Sequence, residues 1–137
     1  MKRGAALTQL SREHHLALVI AKRAQDMNME NKGAVLRFMA QTVETFAREL
    51  EPHFQIEESA LLPLLNGAGA TELVRRTLAE HEELRRLVSQ FKTNDAESIH
   101  PFGAALAAHV RFEERELFTL AESLLTHEAL NRAMAKA

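Results

Sequence analysis

Two segments of the chain share one pattern of residues that can bind a metal ion. They are residues 53–61, HFQIEESAL, and residues 109–117, HVRFEEREL. In both segments a glutamate follows a histidine by four residues, giving the pairs His53–Glu57 and His109–Glu113. In a helix this spacing places both side chains on one face, one turn apart. Each pair could therefore share a metal ion.

Both pairs are predicted to face the interior of the protein, because each interrupts an apolar helical stripe. The stripes contain Phe46, Leu50, Leu61 and Leu64 in the earlier segment, and Phe102, Leu106, Leu117, Leu120 and Leu124 in the later one. Two buried carboxylates without compensation are costly and repel each other. A multivalent cation between them would remove both penalties.

Two further helices are each predicted to supply one inward-facing histidine. His81 lies on a stripe with Val74, Leu78, Leu84, Val88 and Phe91. At about 100° per residue, His14 falls on the apolar face of the first helix, whereas His15 falls on its polar side. We therefore predict His14 as the fourth histidine, with His15 as the alternative.

Four imidazoles and two carboxylates suit a pair of first-row metal ions. Imidazole binds iron, zinc, copper or nickel, and carboxylates favour the harder iron and manganese ions. Both carboxylates are expected to bridge the two ions. The predicted ligands are His14, His53, Glu57, His81, His109 and Glu113.

Four other residues that could take part are assigned lesser roles. Glu58 and Glu114 lie about 100° from the ligand face, so each is expected to be solvated or to accept a ring N–H from a ligating histidine. His100 precedes Pro101 and is expected to cap a helix, and His127 is expected to be exposed.

Helices must position these residues, because no apolar and polar alternation persists between the turn signals. The turn signals predict helices at about residues 8–29, 34–62, 71–92 and 98–125, with a short tail helix at 127–135. Thr8 is expected to cap the first helix, Pro52 to bend the second and Pro63 to end it.

Four amphipathic helices with short loops favour an all-α, up-down-up-down antiparallel four-helix bundle. A chain of 137 residues is expected to form one domain, residues 1–137. The two halves also resemble each other, because Glu13–His14 recurs as Glu80–His81. A bundle with this pseudo-two-fold symmetry would arrange both halves around one central site.

The composition excludes several classes of protein. The absence of cysteine excludes disulfides, thiolate metal sites and a cysteine nucleophile. The chain has 17 Lys and Arg residues against 19 Asp and Glu residues. It therefore lacks the excess of basic residues that is typical of a nucleic-acid binder. No membrane-spanning run or signal peptide is recognised. We expect a cytoplasmic monomer or homodimer that binds neither nucleic acid nor a membrane.

The chain resembles the hemerythrin-like (HHE cation-binding) domain in four stretches that occur in the same order. These stretches are residues 10–14, 50–58, 78–81 and 109–118. The resemblance covers nearly the whole chain and implies a non-haem di-iron centre in a four-helix bundle. It also implies that Glu57 and Glu113 bridge the two irons, with the four histidines as terminal ligands; zinc or manganese remain alternatives to iron.

The sequence departs from the oxygen-carrying hemerythrins at two positions. Arg85 stands where those proteins have a second third-helix histidine, and Glu113 follows His109 by four residues where they have His-x-x-x-x-Asp. With one imidazole fewer, more coordination positions are open to water or small molecules. A ferritin-like site fits less well, because that class uses Glu-x-x-His.

Arg85 and Arg86 are expected to form a charged outer face of the third helix. An alternative uses the position of Arg85, one turn after His81, to place its guanidinium over the site, where it could hold an anion.

We therefore expect a metal-binding protein whose di-iron centre binds or responds to O2, peroxide or NO, or handles iron. A sensor of this length would need a protein partner to pass on its signal. Two alternatives stay open: a di-iron enzyme acting on peroxide or NO, and a metal-stapled structural bundle used in protein interactions.

Overall fold

The computed structural model describes residues 4–137, which fold into helices without any strand. The all-α prediction is thereby confirmed. We number five helices: α1, Ala5–Gln25; α2, residues 32–67; α3, Thr71–Phe91; α4, residues 99–124; and α5, His127–Lys136. Residues 1–3 of the predicted domain lie outside the described residues. Among residues 4–137, no helix is both long and apolar enough to cross a membrane.

Helix α1 begins and ends earlier than predicted. The N–H of Thr8 already donates to the carbonyl of Gly4 at 2.9 Å, so Gly4, not Thr8, is the residue that precedes the helix. At the other end, Asn28 accepts a hydrogen bond from the N–H of Glu30. This side-chain turn competes with helical hydrogen bonding and places residues 26–31 outside the helix.

Helix α2 contains two π-helical turns, Phe46–Leu50 and Glu57–Leu61, and a proline follows each of them closely. Just before Pro63, the N–H of Leu62 reaches back five residues to the carbonyl of Glu57. The wider turn accommodates a residue that lacks an N–H. The predicted end at Pro63 is therefore wrong, and the helix continues to Gly67. Pro52 follows the first π turn in the same way.

A third π turn, Glu113–Leu117, interrupts α4. Each π turn adds a residue to the helical repeat and shifts the buried face of the following turns. Consequently Ala121 is buried while Leu124, a predicted core residue, is exposed. Leu78 of α3 is also exposed, contrary to prediction, and Thr77 occupies the inward position beside it.

Two apolar clusters occupy the interior. One contains Phe38, Phe54, Phe91, Phe102 and Leu106 among others, and the second contains Leu7, Leu10, Leu61, Leu117 and Phe118 among others. In each of the four long helices, the predicted site residues lie in sequence between members of the two clusters. The polar centre is therefore enclosed by apolar packing at both ends.

Candidate metal centre

The four long helices bring all six predicted ligands together in the interior. Each side chain is at most 5% exposed, and the set comprises His14, His53, Glu57, His81, His109 and Glu113. His15 is exposed and lies outside the cluster, which favours His14 over the alternative. The four-residue spacings in α2 and α4 hold each glutamate beside its histidine, as the sequence analysis predicted.

The six residues form two overlapping groups, each able to surround one ion. The first group is His14, His53, Glu57 and Glu113, and the second is Glu57, His81, His109 and Glu113. Within each group the potential ligand atoms all lie within 4.8 Å of one another. Both glutamates belong to both groups, whereas each histidine belongs to one.

Each glutamate presents one oxygen to each group. Glu57 Oε2 lies 3.1 Å from His53 Nε2, and Glu57 Oε1 lies 3.0 Å from His81 Nε2. Glu113 Oε1 lies 2.8 Å from His14 Nε2, and its Oε2 lies 3.1 Å from His109 Nε2. This is the arrangement required of two carboxylates that bridge a pair of ions.

Both shared glutamates begin a π-helical turn. The backbone carbonyls of Glu57 and Glu113 accept the N–H groups of Leu62 and Phe118, five residues further on. π turns occur frequently at functional sites in helical proteins. In this chain the two wide turns accompany the two carboxylates that face the centre.

Most of the inward-facing nitrogen and oxygen atoms lack a hydrogen-bond partner. Among the described residues, the buried atoms without one are Nε2 of His53, His81 and His109, both Oε atoms of Glu57, and Oε2 of Glu113. Buried polar atoms in folded proteins are normally paired, so a convergent unpaired set calls for a ligand. Imidazole nitrogens and carboxylate oxygens are the donor set of first-row metal ions. The residues present therefore fit a metal cation.

An outer set of four glutamates holds the far side of each imidazole. Every site histidine has its Nδ1 within 2.6–2.8 Å of a carboxylate oxygen: His53 of Glu13, His81 of Glu58, His109 of Glu80, and His14 of Glu114. When Nδ1 donates its proton to a carboxylate, Nε2 is left to bind metal and becomes a stronger ligand. Glu58 and Glu114 contact the Nδ1 atoms of His81 and His14, as the role predicted for them requires.

The outer roles of Glu13 and Glu80 were not predicted from the sequence. Each precedes a site histidine in the chain but binds the histidine of a neighbouring helix, Glu13 that of α2 and Glu80 that of α4. The repeated Glu-His dipeptide was the available signal, although spacing along one helix does not reveal a partner on another.

The buried carboxylates dominate the protonation of the metal-free site. Burial lowers the pKa of His53, His81 and His109, but the negative charge of nearby glutamates raises the pKa of His53 to about 12, of His109 to about 10 and of His81 to about 9. Burial would raise the pKa of Glu113, but the neighbouring histidines hold it well below its usual value. Without a metal, protons therefore compensate the carboxylates.

Aromatic rings cover two of the imidazoles. Phe54 stacks on His81 with ring centroids 4.0 Å apart, and Phe118 stacks on His14 at 5.3 Å. Both phenylalanines are fully buried. The rings restrict rotation of these histidines and keep water from their faces.

Arg85 forms hydrogen bonds and ion pairs with carboxylates of the chain. Its guanidinium donates to Glu51 at 2.8 and 2.7 Å and to Glu82 at 2.8 Å, and it lies 3.0 Å from Glu58. With its donors engaged in this way, the alternative in which Arg85 holds a foreign anion is not supported. Arg86 is exposed and pairs with Glu83, as expected for an outer face.

The two remaining histidines lie at the surface. His100 is exposed, and its Nε2 lies 3.1 Å from the carbonyl of Met27 in the α1–α2 loop, so it does not form the predicted helix cap. His127 is exposed at the start of α5, as predicted, and lies 3.2 Å from Glu122.

Comparison with protein families matched most of the chain. The model of the family described as "Hemerythrin HHE cation binding domain" matches residues 5–121, which include all six residues of the inner cluster and all four outer glutamates. Neither the curated proteins nor the solved structures gave a match.

Proposed function

This chain belongs to the hemerythrin HHE cation-binding domain family, and we propose that it carries a non-haem di-iron centre that binds or responds to O2, peroxide or NO, or handles iron. The observation that carries the proposal is the pair of shared carboxylates. Glu57 and Glu113 each direct one oxygen toward each pair of histidines in the buried interior.

In this proposal two histidine Nε2 atoms and one oxygen of each shared glutamate would hold each ion. His14 and His53 would hold one ion, and His81 and His109 would hold the other. Because all of these ligand atoms are nitrogen or oxygen, the site favours iron over ions that prefer thiolates. With four protein ligand atoms, each iron would keep positions open to a small ligand.

When bound, iron supplies electron transfer and Lewis acidity that no side chain of this site provides. The protein's own residues orient the site and exclude water. The outer glutamates hold the Nδ1 protons, so each Nε2 stays directed inward. Phe54 and Phe118 close two faces of the cluster.

We further propose that the four long helices form the up-down-up-down antiparallel bundle of one domain. Contacts between α1 and α4 support this arrangement, because the start of one lies beside the end of the other. The N–H of Gly4 donates to Glu122, whereas Gly103 packs against Ala21 and Ala24.

Iron loading followed by spectroscopy tests the proposal. The purified chain is reconstituted with ferrous iron without oxygen, desalted and analysed for metal. Its near-ultraviolet and visible spectrum is recorded before and after addition of O2, peroxide or NO. The chain contains no Trp or Tyr, so its own near-ultraviolet absorbance is small. We expect two irons per chain and new charge-transfer bands on oxidation.

Other outcomes would favour the alternatives. Tight colourless zinc with no iron uptake would replace the di-iron proposal by the metal-stapled structural bundle. Two irons with repeated turnover of peroxide or NO would identify an enzyme rather than a binding protein.

A further inference from the structure

Two arginines of α3 contact outer glutamates, and the histidines that these glutamates hold belong to the same proposed metal position. Arg85 lies 3.0 Å from Glu58, whose Oε2 is 2.7 Å from His81 Nδ1. Arg76 donates to Glu80 at 2.8 Å, and Glu80 Oε1 is 2.7 Å from His109 Nδ1. The structure therefore contains two Arg–Glu–His relays, and both end on the second group of ligands.

We propose that Arg76 and Arg85 are positioning residues that set how tightly the His81–His109 position holds its metal. They act through Glu80 and Glu58 and touch neither the ligand atoms nor the ion. This inference rests on the proposed two-metal centre. It predicts that substitutions on the outer side of α3 can change metal affinity at one position without changing it at the other.

Arg85 keeps two carboxylates together that would otherwise repel each other. Glu51 accepts two hydrogen bonds from the guanidinium, one from Nε and one from Nη2. Glu58 Oε2 lies 3.0 Å from the same Nη2 atom. A surface cleft of about 500 Å³ borders Glu58 and offers it space to turn away. Without Arg85, repulsion from Glu51 would move Glu58 toward this cleft, and His81 would lose its Nδ1 partner.

Arg76 supports Glu80 in a more exposed setting. Its Nε donates to Glu80, and its guanidinium carbon lies 3.9 Å from the centre of the Phe112 ring. The Arg76 side chain is 48% exposed, against 22% for Arg85. Water screens the exposed ion pair more strongly, so Arg76 is expected to have the smaller effect.

The chain supplies a matched control beside each arginine. Arg75 and Arg86 are neighbours of Arg76 and Arg85 on α3, and they pair with exposed Glu72 and Glu83 of the same helix. Neither control partner is an outer glutamate of the site. Removing these charges alters the net charge of α3 equally but leaves both relays intact.

The experiment compares metal release from the full chain carrying Arg85→Gln, Arg76→Gln, Arg86→Gln or Arg75→Gln. Each protein is loaded with two Co2+ ions, and release into excess chelator is followed by absorbance. We expect Arg85→Gln to speed release from one position by about threefold to tenfold, less than the 10–100-fold typical of direct outer partners. Arg76→Gln should speed the same phase less, and the controls should match the wild type.

Glu13→Gln assigns the phases, because Glu13 holds His53 of the other position and should speed the other phase. If the wild type releases both ions in one phase, Arg85→Gln should split the release into two. Arg85→Lys should release Co2+ at a rate between those of Arg85→Gln and the wild type, because lysine keeps the charge but cannot form the bidentate contact. It also serves as the test variant if Arg85→Gln does not fold.

Three results would overturn the inference while leaving the di-iron proposal in place. These are unchanged release, equal acceleration of both phases, and slower release, which would mean that the arginine charge weakens the site rather than positioning its ligands. Failure of the wild type to hold two ions would instead remove the proposed two-metal centre, and with it the premise of this inference.

Discussion

Glu57 and Glu113 each face both groups of the centre, whereas every site histidine faces only one. The same substitution should therefore have different consequences at different positions. Glu113→Ala removes an oxygen from both proposed ions, and His109→Ala, four residues earlier on the same helix, removes a nitrogen from one. We expect Glu113→Ala to lose both irons and His109→Ala to retain about one iron per chain.

Metal analysis after ferrous loading and desalting measures this difference, and circular dichroism checks that both variants remain helical. His100→Ala provides a control, because His100 lies at the surface beside the α1–α2 loop. Two irons in Glu113→Ala would contradict the bridging role, and two in His109→Ala would contradict its role as a terminal ligand.

Four of the six inner residues were predictable from sequence because the histidine and glutamate of each pair lie on one helix, and His14 and His81 were predictable from the apolar faces of their helices. The spacing of His53 and Glu57 fixes their common face without knowledge of the fold. Glu13 and Glu80 were not predictable in this way. Their partners lie on other helices, and only the packing of the helices against one another brings them together.

At the scale of helices, the existence and type of the long elements were predicted. Which residues of each helix face the interior was predicted less well. A stripe with 3.6-residue spacing was extended through α4 to Leu124, but the π turn at Glu113–Leu117 moves the buried face to Ala121. The prolines of α2 were interpreted as a bend and an end. In the structure they follow π turns, and no local propensity reveals that a widened turn will accommodate them.

The close packing of α1 on α4 depends on Gly103. A Cβ atom at this position would lie 2.8 Å from the carbonyl oxygen of Ala21 and 2.8 Å from the Cβ of Ala24. Gly103→Ala should therefore destabilise the protein by about 1–3 kcal/mol of overpacking, which outweighs the gain of up to about 1 kcal/mol in helix propensity. Denaturant unfolding of the metal-free protein measures the change.

Gly67, the last residue of α2, offers the matched substitution. A Cβ at Gly67 would meet nothing within 4 Å. Gly67→Ala should leave the stability unchanged or raise it by up to about 1 kcal/mol. If Gly103→Ala proved as stable as Gly67→Ala, the close approach of α1 and α4 at this point would be wrong.

On the scale of the whole molecule, a cluster of ionisable groups lies between two apolar clusters. The centre contributes four histidines and two glutamates to the interior. An interior of this kind is stable only when its charges are compensated, by protons in the metal-free protein or by metal ions in the loaded one. Folding, protonation and metal binding are therefore coupled in this protein.

This coupling predicts how the stability of the metal-free protein varies with pH. The pKa of Glu113 is lowered by folding, so its contribution is present above 4.5 and is lost as the pH falls below that value. The pKa values of His53, His81 and His109 are raised, so their contributions are complete below 6.5 and are lost as the pH rises toward 9 and above. The metal-free protein should therefore be most stable between pH 4.5 and 6.5.

Metal ions should reverse the alkaline part of this profile. A metal ion and a proton compete for the same Nε2 atoms, so metal binding strengthens as the pH rises. The stabilisation by added Co2+ should accordingly grow from pH 6 to about pH 8.5, while the metal-free protein loses stability over the same interval. Thermal unfolding with and without Co2+ at a series of pH values measures both trends. A metal-free protein that gained stability between pH 6.5 and 8.5 would contradict the view that protons hold this interior together.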